Sequence, residues 1–205
     1  MEIIVQDLSK RFNREWIFRN LNHTFSSGNT YAITGPNGSG KSTLLQILWG
    51  QMPPSGGSIS YAGPAGNIPI EEVYKHISIA TPYMDLIEEL TLMEQLQFHF
   101  KLKKSRNGIS IEKIVELMYL ETACDKYISN FSSGMKQRVK LALAIFTKAD
   151  IIFLDEPGTN LDKQAFEWYV TQLNSLPIDS MVFIASNQPA EYPENAKKID
   201  ILNHK

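Results

Sequence analysis

Apolar positions recur along this chain in two rhythms. Runs rich in β-forming residues at Glu2 to Val5, Thr30 to Thr34, Ser58 to Tyr61, Ile77 to Ala80, Ile151 to Leu154, Met181 to Ala185 and Lys198 to Leu202 read as strands. Several are almost continuously apolar, as strands covered on both faces are. Between them the spacing becomes helical: Ile111, Ile114, Val115 and Met118 share one face, and so do Phe166, Tyr169, Val170, Leu173 and Leu176. Strands interleaved with helices predict an α/β fold around a mainly parallel sheet. From about Leu90 to Asn130 helical patterns follow one another without a strand, so a helical insert is expected there. Pro53-Pro54-Ser55-Gly56-Gly57 ends the first helix, and Gly63-Pro64-Ala65-Gly66 follows the next strand. No internal repeat or low-complexity tract interrupts the pattern.

At 205 residues with 43% hydrophobic content, the chain reads as one domain able to bury a substantial core. Twenty basic residues oppose 22 acidic ones, a net charge of −2, so no overall field favours nucleic acid or an anionic membrane. Nucleic acid is therefore not an expected partner. The basic cluster Lys101, Lys103, Lys104 and Arg106 is either a solvated helix end or a contact for a partner or lipid headgroups. Cys124 is the single cysteine. It fits a reducing compartment, and reads as a small buried residue rather than a nucleophile. The first residues, MEIIVQDLSKRF, lack the features of an export signal. Apolar stretches such as Leu141 to Phe146 fall far short of the ~20 residues a bilayer span needs. The expectation is a cytoplasmic protein whose membrane contact, if any, runs through another chain.

One segment carries the clearest chemistry. The apolar strand Thr30 to Thr34 runs directly into Gly35-Pro36-Asn37-Gly38-Ser39-Gly40-Lys41-Ser42, and then into a helix led by Thr43, Leu44, Leu45 and Leu48. This strand, glycine loop and helix is the context of a phosphate-binding P-loop. Glycines let the backbone turn its N–H groups inward, and the helix adds the positive end of its dipole, so residues 35 to 43 are expected to grip a nucleoside triphosphate. Lys41 is placed to reach the β- and γ-phosphates, and the Ser42 hydroxyl to ligate magnesium. Farther along, Ile151-Ile152-Phe153-Leu154 is an apolar strand ending in Asp155 and Glu156. A neighbouring parallel strand would deliver both acids beside the phosphates. Asp155 suits a magnesium ligand, directly or through water. Glu156 suits a general base that polarises the attacking water.

With these features in this order, the sequence resembles the ATP-binding subunits of ABC transporters over nearly its whole length. Phe131-Ser132-Ser133-Gly134-Met135-Lys136-Gln137-Arg138 is similar to that family's signature motif, usually LSGGQ, and precedes a helix read as Val139 to Thr147. Thr159-Asn160-Leu161-Asp162 is similar to its D-loop. Phe12 stands where the family has an aromatic that stacks on adenine, the alternative being a lone aromatic that covers a strand edge. The resemblance implies a single ABC-type domain over residues 1–205, with an N-terminal antiparallel β part and a helical subdomain at about 84–145. It also implies ATP and Mg2+ as cofactors and a head-to-tail pair, either a homodimer or a pairing with a related ATPase subunit. Ser132, Ser133, Gly134 and Met135 of one subunit would then face the triphosphate held by Lys41 of the other. The remaining implied partner is an integral membrane permease, reached through a surface at Tyr83 to Leu102, so that the protein sits on the cytoplasmic face of the membrane.

Three motifs depart from the family pattern. Ser133 stands for the first glycine of the signature motif and Met135 for the common glutamine. The Q-loop aligns with Ile79-Ala80-Thr81-Pro82-Tyr83, where glutamine is absent. The switch histidine aligns with Asn187, whose amide can hydrogen-bond a phosphate but cannot shuttle a proton. His23 is read as lying between strands, and neither it nor His76, His99 or His204 replaces the switch residue. The expected activity is therefore ATP hydrolysis coupled to transport, slowed by these losses. A dimerisation switch with little hydrolysis, and an ABC-type ATPase not linked to transport, stay open as alternatives.

Overall fold

The computed structural model describes residues 1–205. Its strands are β1 (Glu2–Phe12), β2 (Glu15–Ser26), β3 (Thr30–Thr34), β4 (Gly56–Gly63), β5 (Gly66–Ile68), β6 (Ile77–Ala80), β7 (Ile151–Asp155), β8 (Met181–Ala185) and β9 (Lys197–Asp200). Its α-helices are α1 (Lys41–Leu48), α2 (Leu92–Leu102), α3 (Ile111–Leu117), α4 (Ser133–Phe146) and α5 (Lys163–Asn174). The strands form a four-stranded sheet in the order β2-β1-β4-β5 and a five-stranded sheet in the order β6-β7-β8-β3-β9. All pairs in the first are antiparallel, and all in the second are parallel.

Alternation along the central strands builds two cores. Ala32, Ile152, Leu154, Val182 and Ile184 project to one face of the parallel sheet and pack with residues of α4 and α5. Their neighbours Tyr31, Ile33, Phe153, Phe183 and Ala185 project to the other face, against α1 and the antiparallel sheet. There Phe183 stacks on Tyr31 and Phe153 at centroid distances of 5.3 and 4.9 Å, and Phe25 meets it edge-on at 4.9 Å. Every residue of β7 and β8 is buried, which fixes the level of the sheet end where Asp155 and Glu156 emerge.

Four of the five α-helices start where a side chain caps them. Thr91 and Glu94 form a capping box at α2, Ser110 caps α3, Ser132 caps α4 and Asp162 caps α5. The helix after the signature motif thus begins at Ser133, within the motif, rather than at Val139, because Ser132 satisfies the N–H of Met135.

Two strands escaped the sequence pattern, β2 and the three-residue β5. In β2 the buried residues are Phe18, Leu21 and Phe25, steps of three and four that read as a helix face rather than as the alternation of a strand. Register shifts between Val5 and Arg11 of β1, with left-handed backbone at Asp7 and Asn20, put β2 out of phase. His23 consequently lies within β2, not between strands. The last strand is also shorter than expected. It ends at Asp200, whose side chain caps a 3₁₀ turn at Ile201–His204. The basic cluster is not simply a solvated helix end: Lys103 donates to the carbonyls of Tyr74 and Ile77, and Arg106 lies over the Phe146 ring at 5.7 Å.

Candidate nucleotide site

At the carboxyl end of β3 the backbone turns through three glycines of positive φ, Gly35 (139°), Gly38 (75°) and Gly40 (110°). Two of these positions also have no room for a side chain. A Cβ on Gly35 would lie 2.7 Å from both Ile201 Cγ2 and Ser39 Oγ, and one on Gly40 would lie 2.3 Å from Ile17 Cγ2. Gly40 is also the N-cap of α1 and offers no side-chain cap, so the first N–H groups of the helix stay free for an anion. Lys41 is buried, and its ammonium donates to the carbonyls of Gly35 and Pro36 at 2.9 and 3.3 Å. The cavity above the loop, about 370 Å³, is lined by Ile17, Asn37, Gly38, Gly40, Lys41, Ser42, Thr43, Tyr83 and Glu156.

The second strand end completes this corner. Asp155 is 2% exposed. Burial pushes its carboxyl above the usual carboxylate range, partly offset by the adjacent Ser42 hydroxyl; Glu156 adds to the rise and Lys41 opposes it. Its Oδ1 is buried with no hydrogen-bond partner. A buried carboxylate oxygen left bare beside a serine hydroxyl is an arrangement that a hard divalent cation would satisfy. The residues present therefore fit magnesium. Glu156 follows in left-handed backbone at φ 47°, held by its N–H to the Ala185 carbonyl at 2.9 Å. Such a conformation in a non-glycine residue is strained and persists only where its surroundings impose it.

Asn187, after β8, donates its amide to Asn37 Oδ1 at 2.8 Å, which links it to the glycine loop. It and Glu156 share a second cavity of about 260 Å³ with Asn37, Thr159, Ser186, Gln188 and Glu191, without one apolar residue. Glu191 and Ile17 were not singled out from sequence. No motif marks them. Only their approach to the glycine loop or to Glu156 gives them meaning.

The signature residues stand apart. Ser132, Ser133, Gly134 and Met135 line neither cavity. They are tied instead to the segment after Glu156. A Cβ on Gly134 would fall 2.8 Å from the Asn160 carbonyl oxygen, and Gln137 donates to the Pro157 carbonyl at 3.0 Å. Phe12 also lines neither cavity; it is 45% exposed, with Lys10 Nζ 5.2 Å from its ring centre. In the Q-loop region the Pro82 carbonyl accepts from Lys140 of α4 at 3.1 Å. Beside it runs an apolar groove of about 480 Å³ that includes Trp49, Ile70, Tyr74, Ile79, Tyr83 and Met84.

Residues 18–159 match the family described as ABC transporter. YybJ, an uncharacterized ABC transporter ATP-binding protein of Bacillus subtilis, is 35% identical over 79% of this chain and 74% of its own length. The Nod factor export ATP-binding protein I of Burkholderia lata is 30% identical over 83% of this chain and 57% of its own. The sulfate/thiosulfate import ATP-binding protein CysA of Synechococcus elongatus is 30% identical over 98% of this chain and 60% of its own. This chain thus spans less than two thirds of the last two proteins. Among solved structures, an ABC transporter ATP-binding protein from Pyrococcus furiosus shares the fold with a TM-score of 0.82 at 22% identity, covering 100% of this chain and 99% of that one. A dimeric ATP-binding cassette in a post-hydrolysis state, bound to ADP and Pi, has a TM-score of 0.75 at 24% identity over 91% and 88% of the two chains.

Proposed function

The chain belongs to the ABC transporter ATP-binding proteins, and from that premise we propose that it binds MgATP between two ATPase subunits and hydrolyses it to drive a separate membrane permease. One observation carries this reading above the others: the bare, buried Asp155 Oδ1 next to Ser42 and Lys41, at the mouth of a glycine loop whose helix end is uncapped. The backbone N–H groups of residues 38 and 40 to 43 and the Lys41 ammonium hold the phosphates. Asp155 and Ser42 hold the cation. When bound, magnesium would neutralise charge on the β- and γ-phosphate oxygens. Glu156, on the wall of the same cavity, orients the attacking water and accepts its proton.

The second subunit enters because the signature residues are remote from their own chain's cavities. Ser132 caps α4, so residues 132 to 135 form a helix N-terminus suited to phosphate from another chain. Support for pairing comes from the dimeric cassette with ADP and Pi that shares this fold. The permease would dock in the groove at Trp49, Ile70, Tyr74, Tyr83 and Met84. Tyr83 is 79% exposed and lines both this groove and the phosphate cavity, a direct link between docking and nucleotide. No helix is long and apolar enough to cross a membrane, and the permease would supply attachment to its cytoplasmic face.

Turnover is slow on this reading. The Q-loop offers Thr81 and Pro82 in place of glutamine, and Asn187 carries no titratable proton near neutral pH. The same substitutions favour a second reading, a nucleotide-driven dimerisation switch with little hydrolysis. Turnover of the protein alone and with its permease, against a Glu156→Gln variant, separates the two. A rate above the variant in either setting supports the motor. Equal rates in both settings overturn it.

A further inference from the structure

Two carboxylate oxygens in this molecule are buried without a hydrogen-bond partner, Asp155 Oδ1 and Glu191 Oε2. The first has a place in the site just described. The second belongs to a residue that is 2% exposed on a short 3₁₀ turn, four positions after Asn187. Its backbone is pinned on both sides: the Glu191 carbonyl accepts from the buried Tyr169 hydroxyl of α5 at 2.7 Å, and its N–H donates to the Gln188 carbonyl at 3.0 Å.

The side chain reaches across to two loops at once. The carboxyl lies against the Gly158 backbone and the Ser186 hydroxyl, whose polar groups offset part of the rise in its pKa. The approach to Gly158 is so close that a Cβ there would lie 2.3 Å from Glu191 Oε1. Ser186 in turn accepts the Gln188 N–H at 2.9 Å, which closes the turn that carries Asn187. Gly158 lies two residues after Glu156, and Ser186 immediately precedes Asn187. Glu191 also lines the polar cavity that holds Glu156 and Asn187. An apolar side chain of similar volume would fill the space without the cost of burying a carboxyl. Burial raises the Glu191 pKa, and the nearby Glu156 raises it further.

We propose that Glu191 is a positioning residue: its carboxyl ties the loop after Glu156 to the loop of Asn187 and keeps the water-activating and phosphate-sensing groups in register. The proposal rests on the ATPase reading of the site. It differs from a packing role in predicting an effect on chemistry that spares nucleotide binding.

The test uses the full chain with Glu191→Ala, Glu191→Gln, Gly158→Ala and the Gly158→Ala/Glu191→Ala pair, measured for steady-state ATP hydrolysis and for amide hydrogen exchange at Gly158. Glutamine keeps the acceptor oxygen, whereas alanine removes the tie. Misplaced catalytic groups cost roughly 10- to 100-fold, so Glu191→Ala should lower kcat by that factor with the KM for MgATP held within about twofold. It should also speed exchange at Gly158, while Glu191→Gln preserves both. Gly158→Ala, pushing a methyl into the carboxyl from the other side, should reproduce the loss, and the pair should be no worse than either single change. If Glu191→Ala does not fold, Gly158→Ala and Glu191→Gln carry the same comparison. The proposal is overturned if Gly158 exchange stays at the wild-type rate, if glutamine damages as much as alanine, or if kcat and MgATP affinity fall together. A wild-type rate equal to that of Glu156→Gln would instead sink the hydrolysis reading, and Gly158 exchange would still decide whether Glu191 joins the loops.

Discussion

Asp155→Asn should make the nucleotide-free protein more stable and its response to MgATP weaker. In the wild type, Oδ1 is buried and bare, and burial pushes the carboxyl above its ordinary range. The ionised side chain is therefore disfavoured by folding at neutral pH. Asparagine has the same shape and no charge. Its amide NH₂ can face Ser42, whose hydroxyl turns to accept, which leaves only a neutral carbonyl in the bare position. An unsatisfied buried polar group costs about 1–3 kcal/mol, more if charged, so relief of this order is expected. At about 3 °C per kcal/mol for a chain of this size, the melting temperature in EDTA should rise by roughly 3–9 °C. With MgATP at a hundred times the wild-type Kd, the wild type gains about 2.7 kcal/mol. A ten- to hundredfold weaker affinity in the variant cuts that gain to roughly 0.4–1.4 kcal/mol. Differential scanning fluorimetry with and without MgATP reads both quantities. A variant melting at or below the wild type in EDTA would refute the cost assigned to the bare oxygen. An undiminished MgATP shift would refute its place in cation binding.

Two further outcomes can be measured. His99 is held neutral: Thr147 donates to the Leu143 carbonyl at 2.6 Å and so accepts the His99 Nε2 proton at 2.7 Å, while burial and then Lys103 bring the imidazole pKa down to about 4. The unfolded chain takes up this proton near pH 6.5 and the folded one only near 4, so stability is intact above pH 6.5 and lost as pH falls towards 4. The loss is at most about 3 kcal/mol, and roughly 2 after screening. Urea midpoints should show His99→Gln losing this extra acid slope, and parallel pH profiles would contradict it. Asn187→His should raise turnover about tenfold or more if a protonatable side chain is what the site lacks. An unchanged kcat would place the slow step in assembly.

The fold was legible where one physical constraint dominated. β3, β7 and β8 are buried on both faces and leave short apolar runs, and the glycine loop announces itself because Gly35 and Gly40 tolerate neither a side chain nor ordinary backbone angles. β2 was hidden because the bulges at Asp7 and Asn20 break the alternation that identifies a strand. The start of α4 was hidden because serine caps are common in turns as well as helices, and only the Ser132 bond to Met135 decides between them. Glu191 was hidden for a different reason. Its burial is created by Tyr169 and Gly158, distant in sequence from any pattern around Glu191 itself.

Two of the positions that depart from the family pattern, Pro82 and Asn187, share a physical feature that bears on the proposed slow turnover, and Ser133 does not. Ser133 is exposed at the first turn of α4, and the close backbone approach within the chain is made by Gly134 to Asn160. An added hydroxymethyl at Ser133 therefore costs this fold nothing and acts only on whatever lies across from it. In the Q-loop region the Pro82 carbonyl is tied to Lys140, and the Asn187 amide is tied to Asn37. Lys140 is half-buried, with its pKa lowered chiefly by that burial, so its bond to Pro82 is only partly exposed to competing water. Where a glutamine and a histidine would reach for water and phosphate, this chain thus has groups already satisfied by its own α4 and glycine loop. Breaking each such hydrogen bond costs about 0.5–1.5 kcal/mol, or up to about 3 where a charged group takes part. Reorganisation of this size before each turnover is enough to slow hydrolysis by one to three orders of magnitude. A partner that engages the groove beside Tyr83 could relieve it by moving that segment. On this reading the permease is required to free the phosphate-sensing groups as well as to receive the work of hydrolysis.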